Sequence, residues 1–221
     1  MKVDIKQKCA KEALKLIPKS GVIGLGGGRT ISYLIDEIKE NKLNVQIVTP
    51  SVKTKMLCLE KELTVLDPMA IHQIDIAFDG CDEVDANFNA LKSGGGIHTR
   101  EKLIASMSKD YVLLIDETKF SEVLTFKHPV VLEVLESAIS YVQYEVLKLG
   151  GVPVMRHSSA KDGFTITENG HYLMDVTFSQ VSDIKELNVK LNEICGVIGT
   201  SLFTKEVTKV LIVDQLMAKE C

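Results

Sequence analysis

The sequence predicts an α/β protein with a Rossmann-like, mainly parallel sheet covered by helices on both faces, and a second, smaller α+β domain. Candidate strands and helices alternate along residues 5–116, which is the order that parallel strands with helical crossovers require. Several of these strands are apolar throughout, as expected for strands buried on both faces. After Lys127 the order changes to strand, helix, two strands and helix, which is typical of a small domain with an antiparallel sheet.

Each element of the first domain has its own local signal. A first helix is predicted at 6–17, because apolar residues recur there at helical spacing and Pro18 ends it. The remaining elements follow in alternation: strands at 22–25, 46–49, 63–65, 74–78 and 111–115, and helices at 31–38, 53–60 and 99–108. This order predicts a catalytic α/β domain built from residues 1–126 and 200–221.

The second domain is predicted at residues 127–199, where it would serve in oligomerisation or as a lid. Its elements are strands at 130–134, 164–167 and 171–176, and helices at 135–149 and 183–194. Asn169-Gly170 between the second and third strands is a favoured hairpin turn. We expect residues 209–213 to return as a strand to the first domain.

The composition of the 221-residue chain argues against several classes of protein. A net charge of −4 disfavours a nucleic-acid partner, which would select a basic surface. There is no run of eighteen apolar residues for a membrane span, and residues 1–6 carry charge where a signal peptide needs an apolar core. The five cysteines are scattered and form no CxxC pair, so we expect no disulfide framework, no metal site and a cytoplasmic location.

The segment GLGGGRT at 24–30 lies between a predicted strand and a predicted helix. Successive backbone N–H groups at such a turn can bind an anion, helped by the positive end of the helix dipole. Arg29 stands where a dinucleotide fingerprint needs glycine, and no GK[ST] follows. Two interpretations stay open here. The segment is either a tight turn that needs glycine, or a site for one phosphate to which Arg29 and Thr30 add donors.

Two further charged segments follow the strand at 74–78: DGCDEVD at 79–85 and KSGGGIHTREK at 92–102. Charges at the end of a buried strand are costly unless paired, and acid/base chemistry on a small anionic substrate would justify them. Simpler explanations exist. Asp79-Gly80 suits a plain turn and Asp82 a helix cap, while Glu101 would favour the first turn of a helix capped by Thr99. His98 is expected to be a polar loop residue.

Together these segments resemble the signature blocks of the ribose-5-phosphate isomerase type A family. The blocks are DGCDEVD at 79–85, KSGG at 92–95 with TREK at 99–102, and DETK at 116–119. The glycine loop falls where that family has its phosphate loop, and the resemblance covers the whole chain in length and order. The family loop normally reads GTGST and its lysine block KGGG, so Gly27, Arg29 and Ser93 are departures.

The resemblance implies an aldose–ketose isomerase of the non-oxidative pentose phosphate pathway. Such an enzyme interconverts D-ribose 5-phosphate and D-ribulose 5-phosphate through an enediolate, with no cofactor or metal. Glu101 would be the base that moves the carbon-bound proton, and Asp79 and Lys92 would open the sugar ring. The implied substrate-binding residues are Gly27, Gly28, Arg29, Thr30, Asp79, Gly80, Cys81, Asp82, Lys92, Ser93, Gly94, Gly95 and Lys119. The family also implies a homodimer or homotetramer.

Other functions stay open at this stage. Arg29 and Gly27 would suit a divergent paralogue acting on another sugar phosphate, or a non-catalytic phosphosugar-binding protein. A sugar sensor of the DeoR type would need a DNA-binding segment, and we expect none because the first helix leads directly into the first strand. An amino-sugar phosphate deaminase and a CoA transferase are also alternatives, since a glutamate such as Glu101 can act as acyl acceptor. Lys92 and Lys119 favour a small phosphosugar.

Overall fold

The computed structural model describes residues 4–213 and 218–220. The helices are α1 (Ile5–Leu14), α2 (Arg29–Glu40), α3 (Val52–Glu60), α4 (His98–Met107), α5 (Ile139–Lys148) and α6 (Ile184–Glu193). The first strands are β1 (Ser20–Leu25), β2 (Asn44–Val48), β3 (Ile74–Asp79), β4 (Glu83–Asp85), β5 (Ala90–Leu91), β6 (Ser108–Asp116), β7 (Phe120–Ser121) and β8 (Val130–Val134). The later strands are β9 (Gly151–Met155), β10 (His157–Ser158), β11 (Lys161–Phe164), β12 (Tyr172–Phe178), β13 (Val197–Thr200), β14 (Leu202–Phe203), β15 (Lys209–Val213) and β16 (Ala218–Glu220).

The chain forms two compact units. The first consists of Met1–Cys81, Arg100–Phe120 and Lys205–Cys221. Its six-stranded sheet has the order β16-β15-β6-β3-β1-β2, and every pairing from β2 to β15 is parallel. Only β16 runs antiparallel to its neighbour. This mainly parallel sheet confirms the predicted α/β class, and β15 confirms the predicted return strand.

The core of the first unit lies where α1 and α2 pack against the sheet. Helix α2 buries Ile31, Leu34, Ile35 and Ile38, whose spacing places them on one helix face. They join Cys9 and other apolar residues of α1 and of the central strands in one buried cluster. Burying a side chain of this size contributes about 1.5–3 kcal/mol, so this face fixes α2, and with it the glycine loop that precedes the helix.

The strand order creates a crevice suited to a ligand between the carboxyl ends of β1 and β3. From β1 the chain passes through α2 to β2 on one side, whereas β3 pairs with β1 on the other. Loops that leave the carboxyl ends of these two strands diverge, which leaves a crevice in open α/β sheets. The glycine loop follows β1 at this edge, and Asp79 ends β3 at the same edge.

The second unit consists of Asp82–Thr99 and Ser121–Thr204. Its main sheet has the order β13-β8-β12-β9, and all its pairings are antiparallel, as the sequence predicts. Apolar residues of this sheet share a buried cluster with those of α5 and α6. Strand β5 pairs antiparallel with both β4 and β14, and β10 pairs with β11.

Three predicted elements differ from the structure. Residues 63–65 form no strand, and Val65 makes a single bridge to Ile47, because the chain turns away towards Pro68. The strand predicted at 164–167 ends at Phe164 as β11, which pairs with β10, and Ile166 makes only an isolated bridge to Tyr172. The helix predicted from residue 135 starts as a 3-10 turn and becomes α-helical at Ile139.

The predicted domain boundaries stay a prediction. The compact units differ from them in three segments, since residues 82–99, 121–126 and 200–204 all belong to the second unit.

Candidate active site

The glycine loop packs directly against the end of β3. Gly26 donates its N–H to the carbonyl of Phe78 at 2.9 Å, and its own carbonyl accepts from the Thr54 hydroxyl at 2.8 Å. A Cβ on Gly26 would lie 2.0 Å from Cγ of Asp79. Only glycine therefore fits at this position, because the Asp79 carboxylate occupies the space that any side chain would need.

The next loop residues lead into α2. Gly28 is the N-terminal cap of the helix with φ of 94°, a conformation that favours glycine. Arg29 is the first residue of α2, and its side chain is 66% exposed. Thr30 is partly buried in the first turn. Unpaired N–H groups at a helix start favour an anion, so this loop suits a phosphate.

Asp79 is fixed by donors on both carboxylate oxygens. The side chain is 3% exposed. Its Oδ2 accepts a hydrogen bond from the Tyr111 hydroxyl at 3.0 Å, and its Oδ1 accepts from the N–H of Gly80 at 2.8 Å. The N–H of Gly27 makes a longer contact to Oδ1 at 3.4 Å. A buried carboxylate with several donors is held in one orientation, as acid/base chemistry requires.

Tyr111 is the buried partner of the Asp79 carboxylate. Its side chain is 1% exposed on β6, and burial raises its pKa well above the ordinary value. The negative charges of Asp79 and Glu101 raise that pKa further. Glu101 is 7% exposed and lies in the first turn of α4. The two predicted acid/base residues, Asp79 and Glu101, are thus both nearly buried in the first unit.

A cavity of about 600 Å³ opens beside the glycine loop in the first unit. Residues 27–30, the start of α1, Gly80 and the end of β6 line it, together with Lys119. Lys119 donates from Nζ to the carbonyl of Cys81 at 2.6 Å. Lys6 and Lys8 of α1 also line the cavity. The cavity thus combines a loop suited to an anion with several cationic side chains.

The other predicted site residues lie in the second unit. Asp82 accepts from the N–H of Gly94 at 2.8 Å through Oδ2. Lys92 is 5% exposed, its N–H donates to the carbonyl of Ser201 at 3.0 Å, and its Nζ lies 5.9 Å from the ring centroid of Phe203. Asp82 therefore holds the glycine turn, and Lys92 is a buried cation on an aromatic face.

The turn after Lys92 is anchored at Ser93. The Ser93 hydroxyl donates to the carbonyl of Pro129 at 2.5 Å. The Ser93 carbonyl accepts from Nη2 of Arg156 at 2.8 Å, and Arg156 also pairs with Asp175 at 2.6 Å. Gly95 follows with φ of 66°, which favours glycine. The serine that departs from the family block is thus a structural contact of the second unit.

Sequence reasoning missed two residues and misplaced two others. Tyr111 was hidden in an apolar strand, where its hydroxyl was the one available signal. Arg156 had no signal at all. Thr99 is not the cap of α4, because the helix begins at His98. His98 is not a loop residue but fully buried, with Nε2 3.3 Å from the carbonyl of Gly199.

Within residues 4–213 and 218–220, no helix has the length and apolar character needed to cross a bilayer. In the same part of the chain, no three His, Cys, Asp or Glu side chains are grouped as ligands of a metal ion.

Comparison with known proteins identifies a family for this chain. The family model of ribose 5-phosphate isomerase A (phosphoriboisomerase A) matches residues 46–216. Among curated proteins, ribose-5-phosphate isomerase A of Methanocaldococcus jannaschii is 39% identical over 214 residues, which cover 95% of this chain and 93% of that one. The protein of the same name from Prochlorococcus marinus (strain MIT 9312) is 35% identical, with 94% and 90% covered.

Two solved structures match the fold of this chain over 98–100% of its length. The structure of ribose 5-phosphate isomerase A from M. jannaschii matches with a TM-score of 0.92 and 36% identity, covering 100% of this chain and 99% of that one. A D-ribose-5-phosphate isomerase in complex with phospho-erythronic acid matches with a TM-score of 0.92 and 32% identity, covering 98% and 97%.

Proposed function

The chain belongs to the ribose 5-phosphate isomerase A family, and we propose from this premise that it interconverts D-ribose 5-phosphate and D-ribulose 5-phosphate. One observation of this chain carries the proposal. The nearly fully buried carboxylate of Asp79 accepts from the Tyr111 hydroxyl and contacts the glycine loop, and Glu101 is a second nearly buried carboxylate of the same unit. This arrangement suits proton transfers on a small substrate whose phosphate is bound by the loop.

Glu101 is the proposed base. Interconversion moves one proton between the first two carbons of the sugar, and the electrons left behind form an enediolate. The base must accept a proton from one carbon and return it to the next. A carboxylate that is 7% exposed is shielded from bulk water, which favours return of the proton to the substrate before it is lost.

Asp79 is proposed to handle the protons of the sugar hydroxyls and to assist ring opening. Its orientation supports this role, because the hydroxyl of Tyr111 and the N–H of Gly80 hold both carboxylate oxygens. Lys92 is the second proposed ring-opening residue, and Asp82 would bind substrate hydroxyls. The roles of Lys92 and Asp82 rest on the resemblance of their sequence blocks to the family's.

The phosphate is proposed to bind at the loop formed by Gly27, Gly28, Arg29 and Thr30. The start of α2, which has no side-chain cap within the described part of the chain, and the cations that line the cavity support this assignment. Lys119 would add positive charge near the sugar. The remaining proposed substrate contacts are backbone or small groups: Gly80, Cys81, Ser93, Gly94 and Gly95.

The test of this function is Glu101→Gln. The amide has the same shape but cannot accept a proton, so kcat for ribulose 5-phosphate formation should fall by about 100- to 10,000-fold. Binding of phospho-erythronic acid, measured by calorimetry, should stay within about threefold of the wild type, because the phosphate loop is unchanged. Glu40→Gln, at the exposed end of α2, is the matched control and should keep full activity. Near-normal turnover of Glu101→Gln would refute the role of Glu101.

The chain is also proposed to form a homodimer or homotetramer. Support comes from large apolar side chains of the second unit that are at least half exposed on α5 and β9: Tyr141, Tyr144, Leu147, Val152 and Val154. Exposed apolar groups at this density are typical of contact surfaces. Light scattering of the purified chain gives its mass, and a monomer at micromolar concentration would contradict this proposal.

A further inference from the structure

Three side chains connect the starts of α1 and α2 in the first unit. The Tyr33 hydroxyl accepts from Nε and Nη2 of Arg29 at 3.2 and 3.0 Å. The same hydroxyl donates to Oδ2 of Asp4 at 2.9 Å. Nη2 of Arg29 also lies 3.2 Å from Oδ2 of Asp4, and Cζ of Arg29 lies 5.6 Å from the ring centroid of Tyr33. We refer to Asp4, Tyr33 and Arg29 as the arginine clamp.

The clamp follows from local sequence spacing. Arg29 and Tyr33 are four residues apart on α2, so their side chains share one helix face. Asp4 is the N-terminal cap of α1 and accepts the Lys6 N–H through Oδ1, which leaves Oδ2 for the clamp. The hydrogen bond from Tyr33 is the main cause that lowers the pKa of Asp4, and the bond to Tyr33 is the main cause that raises the pKa of Arg29. Both charges are therefore stabilised by the clamp.

The clamp lies at the cavity beside the glycine loop. Asp4 and Arg29 both line this cavity, as do Gly28 and Thr30. The clamp uses Nε and Nη2 of Arg29. Among residues 4–213 and 218–220, Nη1 of Arg29 has no hydrogen-bond partner. Nη1 is thus available to a ligand, while the rest of the guanidinium is held in place.

We propose that Asp4 and Tyr33 are positioning residues that hold the Arg29 guanidinium for the terminal phosphate of the substrate, so that the clamp selects phosphorylated over unphosphorylated sugars. The proposal rests on the proposed function, in which the glycine loop receives that phosphate. A flexible arginine side chain on a protein surface loses conformational entropy when it binds an anion. The clamp removes part of this cost in advance, because the guanidinium is already ordered before the phosphate arrives.

The test compares Tyr33→Phe, Arg29→Ala and the double variant. Tyr33→Phe keeps the ring beneath Arg29 and removes only the hydroxyl that joins the three side chains. We expect KM for ribose 5-phosphate to rise roughly five- to tenfold in each single variant, with kcat within about twofold of the wild type. The inhibition constant of inorganic phosphate should rise by the same factor. The double variant should be no worse than Arg29→Ala, because Tyr33 acts only through Arg29.

Tyr172→Phe is the matched control, since its hydroxyl contacts a carboxylate, Glu136, at 3.4 Å in the second unit. It should leave KM unchanged. A KM of Tyr33→Phe within about twofold of the wild type, or effects that multiply in the double variant, would overturn the proposal. Activity on unphosphorylated ribose should not respond to any of these substitutions, and a parallel loss there would also overturn it.

These results are distinguishable from a failure of the proposed function. A wild-type chain that forms no ribulose 5-phosphate would refute the function, while calorimetry with inorganic phosphate would still measure the clamp. Wild-type turnover with unaltered phosphate affinity in Tyr33→Phe would refute the clamp alone.

Discussion

Replacing Gly26 by alanine should damage both stability and turnover, because the added methyl group would overlap the Asp79 carboxylate. The new Cβ would lie 2.0 Å from Cγ and Oδ1 of Asp79. Since non-bonded heavy atoms pack at about 3.5–4.0 Å, the loop or the carboxylate must move by about 1.5 Å. Neither is free to do so. Gly26 is hydrogen-bonded through both its N–H and its carbonyl, and Asp79 is held by Tyr111 and Gly80.

The expected cost has two parts. Overpacking of a buried site costs about 1–3 kcal/mol. Displacing the carboxylate from one donor costs about 1.5–3 kcal/mol, because the acceptor is charged. The free energy of unfolding should therefore fall by about 2.5–6 kcal/mol out of a typical total of about 5–15 kcal/mol. Turnover should fall at least about tenfold, because a displaced Asp79 carboxylate would no longer reach the substrate hydroxyls that it is proposed to contact.

Urea-induced unfolding followed by far-UV circular dichroism measures the stability change. Gly80→Ala is the matched control for stability. It is the same substitution beside Asp79, but its Cβ would meet no atom within 4 Å. We expect Gly80→Ala to unfold within about 0.5 kcal/mol of the wild type. An equally small change for Gly26→Ala would refute the close packing of the loop against Asp79.

Two further predictions concern buried groups of the first unit. Tyr111→Phe should lower the free energy of unfolding at pH 7 by about 1.5–3 kcal/mol, because Asp79 loses a donor, and a urea titration showing no more loss than Tyr172→Phe would contradict this. Alkylation should modify exposed Cys195 before Cys9, whose pKa is raised to about 12 by burial, so that about one Cys9 thiol in a thousand is ionised at pH 9. Peptide mapping of the native chain that finds equal rates at the two cysteines would refute this prediction. Since the folded state holds the Cys9 proton more tightly than the unfolded state, this thiol makes the free energy of unfolding decrease between about pH 9 and pH 12.

Elements with strong local signals were predictable within two or three residues. Helix α2 was expected at 31–38 from its apolar spacing and spans Arg29–Glu40. Strand β3 was expected at 74–78 from its continuous apolar run and spans Ile74–Asp79. Both signals are contained within the element itself, so no knowledge of distant residues was required.

The parts that escaped prediction depend on distant partners. Strands β4, β5 and β14 have two or three residues each, too few for a periodic pattern, and one partner of β5 is β14, which returns from far along the chain. Asp79 was conspicuous as a charge at the end of an apolar strand, whereas the role of Glu101 was predicted only through the resemblance of its sequence block to the family's. Tyr111 was missed for the opposite reason, since a tyrosine in a strand looks like an ordinary core residue. The contacts of Arg29 were not predicted either, because Asp4 comes into contact with Tyr33 only when α1 packs against α2.

The unusual glycine loop departs from the family pattern only where the structure leaves room. A Cβ on Gly27 would lie 3.8 Å from the Ser51 hydroxyl, an ordinary contact distance, so position 27 would also accept the usual threonine. The side chain of Arg29 is 66% exposed and imposes no packing on the core. Gly26 and Gly28 are different, because one contacts Asp79 and the other needs a positive φ. The backbone proposed to receive a phosphate therefore needs glycine at positions 26 and 28, and the departures at positions 27 and 29 change which side-chain donors surround it. This is why a substrate-affinity measurement on the arginine clamp, and not a comparison of folds, is the informative experiment on this loop.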